Sequence, residues 1–371
     1  MINNQSLRTG TDFTGFYTAA IISQTEGSQS IYNPELQQQI EEDLVGFKLA
    51  PGQVLLFNHL PYFIPLLSLI ITNNYVVSFL RWTVILITFF FLGVRLLLSI
   101  LNQSGLNKTQ KTITMIGTLL FFPVFTSLIN GQDTIFLLLG ATLFLVGFIS
   151  DNPFSTGIGL SLMTIRPQLA LVLAIPFLFY NRKVFIWFII GSLALGTFVF
   201  LYIGVNGSKE FLNILVTSSQ GDWYGLHPED MPTLTGLLHR NFNNLSSSII
   251  QIIGMAGYFL TMIGLCITAA INKTLTINRF GTTFLISIFF VPYLHYHDLS
   301  LLLIPLFCLL RVYLPKYKEN LVLLPITLSI FLILGLFWSW MRYISVSITM
   351  ITMFYFLLLA EKNKILEFNS Q

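Results

Sequence analysis

Residues 184 to 205 read VFIWFIIGSLALGTFVFLYIGV and contain no charged side chain. The stretch exceeds the ~20 apolar residues with which an α-helix crosses a ~30 Å hydrocarbon core. Comparable apolar runs recur from Val54 to the C-terminal region and fill most of the 371 residues. Of all residues, 54% are hydrophobic and only 9% are charged, against roughly a quarter charged in soluble domains. The sequence therefore predicts an all-α, polytopic integral membrane protein.

The apolar runs predict about eleven transmembrane helices of bilayer-spanning length. Two long polar stretches, residues 1 to 53 and residues 206 to 248, lie outside this series. Short turns join the other segments, and there is no tandem repeat of fixed period. We therefore predict one polytopic domain over residues 54 to 371, with residues 206 to 248 as a long loop inside it.

Basic residues in the short loops set the predicted orientation, since cytoplasmic loops carry an excess of Lys and Arg. With these loops in the cytoplasm, both long polar stretches lie outside. Residues 1 to 53 hold more acidic than basic residues, which agrees with an extracytoplasmic position. The loops in question contain Lys108, Lys111, Arg182 and Lys273.

This orientation holds only if two apolar runs do not cross as single helices. We expect residues 156 to 180 to make two short passes broken at Arg166-Pro167, because proline disfavours helix at the residue before it. We expect residues 54 to 72, interrupted by Pro61 and Pro65, to dip into the membrane without crossing. The polar residues that then share the extracytoplasmic side are Asp12, Gln132, Arg166 and the turn His295-Tyr296-His297-Asp298.

Three of these polar features have two interpretations each. Arg166 either binds an anion or extends to the lipid headgroups, because an uncompensated charge in hydrocarbon is costly. Asp12 is either a functional carboxylate or the N-cap of the run FTGFYTAAII that follows it. The sequence HYHD, residues 295 to 298, is either a metal site or a polar turn. No further His or Cys cluster completes a zinc shell, and we predict neither a metal nor another cofactor.

Nucleic acid is not an expected partner. The net charge of +3 is small and spread over loops, and no stretch clusters Lys or Arg with aromatic residues. Membrane lipids are the expected surroundings. Cys266 and Cys308 lie in separate apolar runs, which indicates neither a disulfide framework nor a metal knuckle.

A series of short motifs points to one family. Residues 10 to 34, GTDFTGFYTAAIISQTEGSQSIYNP, resemble the first extracytoplasmic loop of glycosyltransferase family 87, the polyprenyl-phosphate-mannose-dependent mannosyltransferases of the GT-C fold. Further matches to the family follow in the same order: FNHLPYFIPLL (57–67), NGQD (130–133), IRPQLALVL (165–173) and VPYLHYHDLSLLLIPL (291–306). The sequence departs from the family pattern in two ways: Arg166 stands where relatives commonly carry Lys, and no transmembrane helix precedes the aspartate loop.

The resemblance implies a membrane enzyme that moves a hexose, mannose in this family, from a polyprenyl-phosphate donor to an extracytoplasmic lipid or glycan acceptor. The active site would face the outside of the plasma membrane. By its match to the family motif, Asp12 is the expected base for the acceptor hydroxyl. Arg166, His295 and His297 are the expected partners of the donor phosphate, whose developing charge needs cations or hydrogen-bond donors. The expected supporting residues are Tyr17, Tyr32, Gln132 and Asp298.

The expected reaction is a single displacement with inversion. One base and a phosphate leaving group need no carboxylate nucleophile, in contrast to a glycosidase, which pairs two carboxylates. No carboxylate cluster resembles a nucleotide-sugar metal site, so activity should persist in a chelator.

A membrane transporter or flippase of lipid-linked or small polar substrates is the alternative. Such proteins also use broken helices and charges within the membrane. Against this alternative, the sequence has no internal two-fold repeat of hydropathy, and both long polar stretches are predicted on one side.

The beginning of the chain raises a separate expectation. Met1 to Leu49 contains no apolar run long enough to span a membrane and no signal peptide. A preceding helix would carry this acidic stretch across the membrane, and we expect the native protein to be longer at its N-terminus by one spanning helix of ~20 residues. The alternative is translocation of the N-terminal tail driven by the segment at Tyr75.

Overall fold

The computed structural model describes residues 4–5, 8, 11–102, 105–219, 228–242, 244–315, 317, 321–336 and 341–369. This part of the chain forms helices joined by turns, without a β-strand. It contains five helices long and apolar enough to cross a membrane, and a sixth span if a pair bent by 45° counts as one. The all-α, polytopic membrane prediction is confirmed, whereas about eleven spans stays a prediction. The helical segments long enough to span are Tyr75–Ser99, Arg182–Val216, Ser247–Asn272, Tyr296–Tyr313, which begins with a 3₁₀ turn, and Tyr343–Asn363. The bent pair is Lys108–Leu119 with Phe122–Asn130.

The described residues fall into two compact units. Unit 1 lies within residues 1–88, 128–133 and 192–227, and unit 2 lies within residues 89–127, 134–191 and 228–371. In chain order the helices are α1 (Phe13–Thr25), α2 (Pro34–Val45), α3 (Ile64–Ile70), α4 (Tyr75–Ser99), α5 (Lys108–Leu119), α6 (Phe122–Asn130), α7 (Thr134–Ile149), α8 (Pro153–Leu162), α9 (Pro167–Ala174), α10 (Phe177–Tyr180), α11 (Arg182–Ser219), α12 (Leu234–Asn241), α13 (Ser247–Asn272), α14 (Ile277–Phe290), α15 (Leu303–Tyr313), α16 (Leu324–Leu336) and α17 (Met341–Asn369).

The polar stretch at residues 1 to 53 contains two helices, α1 and α2. Most side chains of α1 are buried. α2 begins at Pro34, and the Asn33 side chain caps it by accepting hydrogen bonds from two main-chain N–H groups of its first turn. α2 ends at Gly46, whose φ of 83° lies in the left-handed region that favours glycine. The predicted loop is therefore a folded part of unit 1, and its position outside the membrane stays a prediction.

Residues 54 to 72 are interrupted as the prolines predicted. Residues 54 to 63 form no helix, and α3 has only 7 residues, which is about 10 Å at ~1.5 Å per residue. Pro65 lies in the first turn of α3, where a missing N–H is tolerated. α3 is too short to cross a bilayer.

The break predicted at Arg166-Pro167 is confirmed. α8 ends at Leu162, a single 3₁₀ turn follows, and α9 begins at Pro167. Arg166 between them has φ −121° and ψ 81°, which is not helical. The break places the Arg166 side chain at the junction of two short helices in unit 2.

The predicted extracytoplasmic loop over residues 206 to 248 begins with helix, because α11 continues to Ser219, and its position outside the membrane stays a prediction. Gly204, with φ 66° and ψ −172°, redirects the chain, and the helix resumes after it. Lys209 and Glu210 lower the hydropathy of the segment after Gly204, but both are good helix formers. The low hydropathy of this segment therefore did not indicate a loop. α12 and the start of α13 fall in the same stretch, and residues 220–227 and 243 lie outside the described residues.

Glycine allows α7 and α8 to pack closely in unit 2. A Cβ on Gly159 would overlap the main-chain nitrogen of Phe144, so no larger residue fits. Small residues commonly permit such close helix approach in membrane proteins. This packing fixes α7, which begins at Thr134, relative to α8, which leads to Arg166.

Candidate functional site

Asp12 lies at the entry to α1 and is half-buried. Its φ of −61° and ψ of −23° are already helical, whereas an N-cap residue is usually extended. The Asp12 side chain makes no capping hydrogen bond. Asp12 therefore occupies the N-cap position of α1 without capping the helix through its side chain, and its role as the base stays a prediction.

The residue after Asp12 packs against the turn at residues 130 to 133. A Cβ on Gly131 would lie 2.8 Å from the Cβ of Phe13, and Gly131 has φ 66°. The indole Nε1 of Trp82 donates a hydrogen bond to the Gly131 carbonyl oxygen at 2.8 Å. Glycine is thus required at position 131, both for the left-handed backbone and for the contact with the start of α1.

His59 and Asp133, for which the sequence indicated no role, form a polar pair in unit 1. His59 Nδ1 lies 3.5 Å from Asp133 Oδ2. The Asp133 side chain is 1% exposed, while that of His59 is 26% exposed. A carboxylate at Nδ1 fixes the orientation of an imidazole and turns Nε2 to the opposite side of the ring.

Gln132, a predicted supporting residue, lies beside this pair in the chain. Its side chain is 3% exposed, and its Oε1 has no hydrogen-bond partner among the described residues. Such an atom is uncommon, because buried polar groups are nearly always hydrogen-bonded. We call His59, Gln132 and Asp133 the His59 cluster.

Two side chains of α2 hold the segment that leads to His59. The Leu55 N–H donates to Glu41 Oε2 at 3.0 Å, and the Phe57 N–H donates to Gln37 Oε1 at 2.7 Å. Gln37 and Glu41 are fully buried, and burial raises the pKa of Glu41 to about 8. The position of His59 therefore depends on two buried polar residues of another element.

The two predicted tyrosines bind main-chain carbonyls in unit 1. The Tyr17 hydroxyl donates to Thr72 O at 3.0 Å, and the Tyr32 hydroxyl donates to His59 O at 2.8 Å. The Tyr32 ring stacks on Phe57, with centroids 5.7 Å apart. Burial raises the pKa of both phenols, so both remain protonated donors. Their observed contacts are those of positioning residues.

In unit 2, Arg166 pairs with Asp298. Arg166 Nη2 lies 3.5 Å from Asp298 Oδ1, with Arg166 only 7% exposed and Asp298 fully buried. The Thr134 hydroxyl donates to the same Asp298 oxygen at 2.7 Å. The Asp298 carboxylate therefore compensates a buried guanidinium that would otherwise be costly.

The two predicted histidines surround the same carboxylate. The His295 N–H donates to Asp298 Oδ2 at 3.0 Å, and His297 Nε2 lies 3.8 Å from that oxygen. The two imidazole rings stack with centroids 5.5 Å apart. The structure thus brings together the three residues expected at the donor phosphate, Arg166, His295 and His297, with the predicted supporting residue Asp298; we call these four the Arg166 cluster.

The surroundings of Arg166 and the conformation of the HYHD stretch bear on their alternative interpretations. Arg166 is enclosed by protein beside Asp298, so it does not extend to the lipid headgroups. The HYHD stretch forms a 3₁₀ turn in which the Asp298 side chain accepts from the His295 N–H, as expected for a polar turn. Among the described residues, no group of three or more His, Cys, Asp or Glu side chains is arranged to hold a metal ion.

A model of glycosyltransferase family 87 matches residues 59–294, more than half of the chain. This protein belongs to glycosyltransferase family 87. The family predicted from the motifs is confirmed, and the protein is a membrane glycosyltransferase. No curated protein and no solved structure matches this family 87 chain.

The family 87 match covers only part of the predicted site. It includes the whole His59 cluster and, from the Arg166 cluster, Arg166. It begins after Asp12, so the assignment of the base rests on the local motif alone. The other predicted residues outside the match are Tyr17, Tyr32, His295, His297 and Asp298.

Sequence reasoning missed His59 and Asp133 in this family 87 enzyme, although both lie in quoted motifs. His59 stands in FNHLPYFIPLL, and Asp133 closes NGQD. A histidine and an aspartate beside breaks in apolar runs were the available signal. Their pairing was not visible because 74 positions, from 59 to 133, separate them in the sequence.

Proposed function

We propose that this glycosyltransferase moves a hexose, with mannose as the preferred sugar, from a polyprenyl-phosphate donor to a lipid or glycan acceptor. The reaction inverts the anomeric carbon and takes place on the extracytoplasmic side of the plasma membrane. The opposing proposal, a transporter or flippase, has less support, because family 87 is a family of glycosyltransferases.

The observation that carries the donor proposal is the Arg166 cluster. A permanent guanidinium charge, 7% exposed, lies in a largely apolar unit beside two histidines. A cation kept there at the cost of desolvation suits an anionic ligand such as a lipid-linked phosphate. Asp298 orients the guanidinium and lowers the net charge of the cluster.

The bond changes in the proposed reaction assign a role to each residue. The acceptor O–H bond breaks, its proton passes to the Asp12 carboxylate, and the acceptor oxygen forms a bond to the anomeric carbon. The bond from that carbon to the phosphate oxygen breaks, and its electron pair stays on the phosphate. Arg166, His295 and His297 stabilise the charge that develops there. Tyr17 and Tyr32 hold main-chain segments within unit 1 by donating hydrogen bonds to the carbonyl oxygens of Thr72 and His59.

The test is direct transfer by the full chain in nanodiscs. A polyprenyl-phosphate donor with a radiolabelled hexose is incubated with membrane lipid and glycan acceptors, and the same protein in sealed vesicles is assayed for accumulation of label. We expect the label on the acceptor, with inverted configuration. Accumulation of unchanged donor inside vesicles, without transfer, would establish the transporter instead.

A further inference from the structure

The strongest unexplained feature outside the Arg166 cluster is the Gln132 side chain. Its Oε1 is buried and has no hydrogen-bond partner among the described residues. A carbonyl oxygen in that state favours a ligand that brings a hydrogen-bond donor. Its next neighbour in the chain, Asp133, is equally buried and is also an acceptor. Two acceptors at successive positions of the chain suit a ligand with more than one donor.

His59 provides the exposed side of the same cluster. Its ring is 26% exposed, while the carboxylate that orients it is 1% exposed. With Asp133 at Nδ1, the Nε2 edge is the part of the ring turned away from the carboxylate. An imidazole held in this way can donate to a hydroxyl group or accept from one.

Aromatic rings form the apolar part of the cluster. The Phe16 ring lies 5.2 Å from the His59 ring, and the Phe57 ring lies 5.9 Å from it, centroid to centroid. The Trp82 ring lies 6.4 Å from Phe16. Apolar rings beside a few convergent polar groups are typical of small-molecule sites. A sugar ring combines both surfaces, since its C–H faces are apolar and its edges carry hydroxyls.

The His59 cluster is also held rigidly. Trp82 fixes the Gly131 carbonyl, and Tyr32 fixes the His59 carbonyl. Gln37 and Glu41 hold the main chain at Phe57 and Leu55. Supporting contacts of this kind are what a preorganised binding site requires.

We propose that His59, Gln132 and Asp133 form a binding site for the adjacent hydroxyl groups of a sugar or polyol. Gln132 and Asp133 accept hydrogen bonds from two hydroxyls, and His59 contacts a third group at the exposed edge. The aromatic rings of Phe16 and Phe57 bound the ligand. Of these three residues the sequence motifs indicated only Gln132, as a supporting residue without a stated ligand.

The position of Asp12 indicates which sugar the site binds. Asp12 and Phe16 are four residues apart in helical conformation, so their side chains lie on the same side of α1. Phe16 contacts His59, and Phe13 contacts the turn that carries Gln132. The ligand is therefore the acceptor, whose hydroxyl must reach Asp12; this last step rests on the proposed function.

Saturation-transfer NMR with methyl α-D-mannopyranoside and myo-inositol tests the site, without any donor. The full chain is kept in nanodiscs, because alkyl maltoside detergents would themselves compete. We expect saturation of the ring protons with the wild-type protein. Gln132→Met should weaken binding roughly tenfold, since it removes the hydrogen-bond acceptor. Gln132→Glu, which keeps an acceptor oxygen, should retain binding.

The matched control is Gln39→Met on the exposed side of α2, which should bind as the wild type does. Unchanged binding by Gln132→Met, or no saturation of either probe by the wild type, would overturn the site. A protein that binds these probes but transfers no hexose would contradict the proposed function alone. Transfer with an acceptor KM unaffected by Gln132→Met would contradict the binding site alone.

Discussion

Two aspartates in this protein are equally buried but have different surroundings. Asp298 in unit 2 accepts hydrogen bonds from Thr134 and from the His295 N–H, and it pairs with the permanent charge of Arg166. Asp133 in unit 1 pairs with His59, which is 26% exposed. Beside Asp133, Gln132 keeps an oxygen without a partner among the described residues. The comparison indicates a cluster built around a permanent cation, suited to an anionic ligand, in unit 2 and a cluster suited to a hydroxyl-bearing ligand in unit 1.

The largest expected effect belongs to Asp12, which precedes the helix that packs on the His59 cluster. Asp12→Asn should reduce transfer by roughly 10²- to 10⁴-fold, because it removes the proposed base and keeps the shape of the side chain. The measurement is the initial rate of radiolabelled transfer. Donor binding and thermal unfolding are the controls and should not change. Full activity in Asp12→Asn would eliminate its role as base.

The two aspartates should differ in their contribution to stability. Asp298→Ala should lower the free energy of unfolding by about 3 to 5 kcal/mol, because it leaves the Arg166 charge buried and unpaired. Asp133→Ala should cost less, about 1 to 3 kcal/mol, because the His59 side chain is 26% exposed and keeps contact with water. Denaturant unfolding in one detergent compares the two. Equal losses would mean that the clusters do not differ in the way described.

A smaller effect on activity is expected when Arg166 itself is substituted. Arg166→Ala should raise the KM for the donor by roughly 10- to 100-fold, and Arg166→Lys should retain part of the affinity as a point charge without the planar fork. Thr134→Val is the matched control, since it removes a hydrogen bond to Asp298 and leaves the cation. Wild-type donor use by Arg166→Ala would show that the cluster is structural.

The support of the His59 cluster should give a pH dependence of stability. Burial raises the pKa of Glu41 to about 8, so the folded state holds a proton that the unfolded chain releases above its ordinary value of about 4.5. The contribution of Glu41 to the free energy of unfolding should therefore be greatest at low pH and fall as the pH rises from about 4.5 to about 8. Glu41→Gln should abolish that dependence while keeping an acceptor for the Leu55 N–H.

Glu42, the next residue, is the control for Glu41. Its side chain binds Lys48 at 2.6 Å, which lowers its pKa. Glu42→Gln should leave the fall in stability between pH 5 and pH 8 in place. The pH dependence would be attributed to another group if Glu41→Gln retained it.

The smallest expected effect is that of a chelator. Neither cluster is predicted to bind a metal, so transfer in excess EDTA should match transfer without it. Complete loss of activity that one added divalent ion restores would instead make His295, His297 and Asp298 metal ligands.

The sequence by itself determined the fold class, the family and the main interruptions of the helices. Hydropathy is a local property, and long uncharged runs have few alternatives to membrane helices. Proline is equally local in its effect, so the break at Arg166-Pro167 could be predicted. Gly204 and the polar helix after it could not, because low hydropathy does not distinguish an exposed helix from a loop.

Only the tertiary structure decided which polar residues meet. Arg166 and Asp298 are 132 positions apart, and no local pattern encodes their pairing. The same holds for His59 with Asp133, and for Glu41 with the Leu55 main chain across a turn. The physical reason is that a buried polar group takes its partners from whatever element packs against it. The residue types were visible in the sequence, while their hydrogen bonds and burial came from the packing of distant segments.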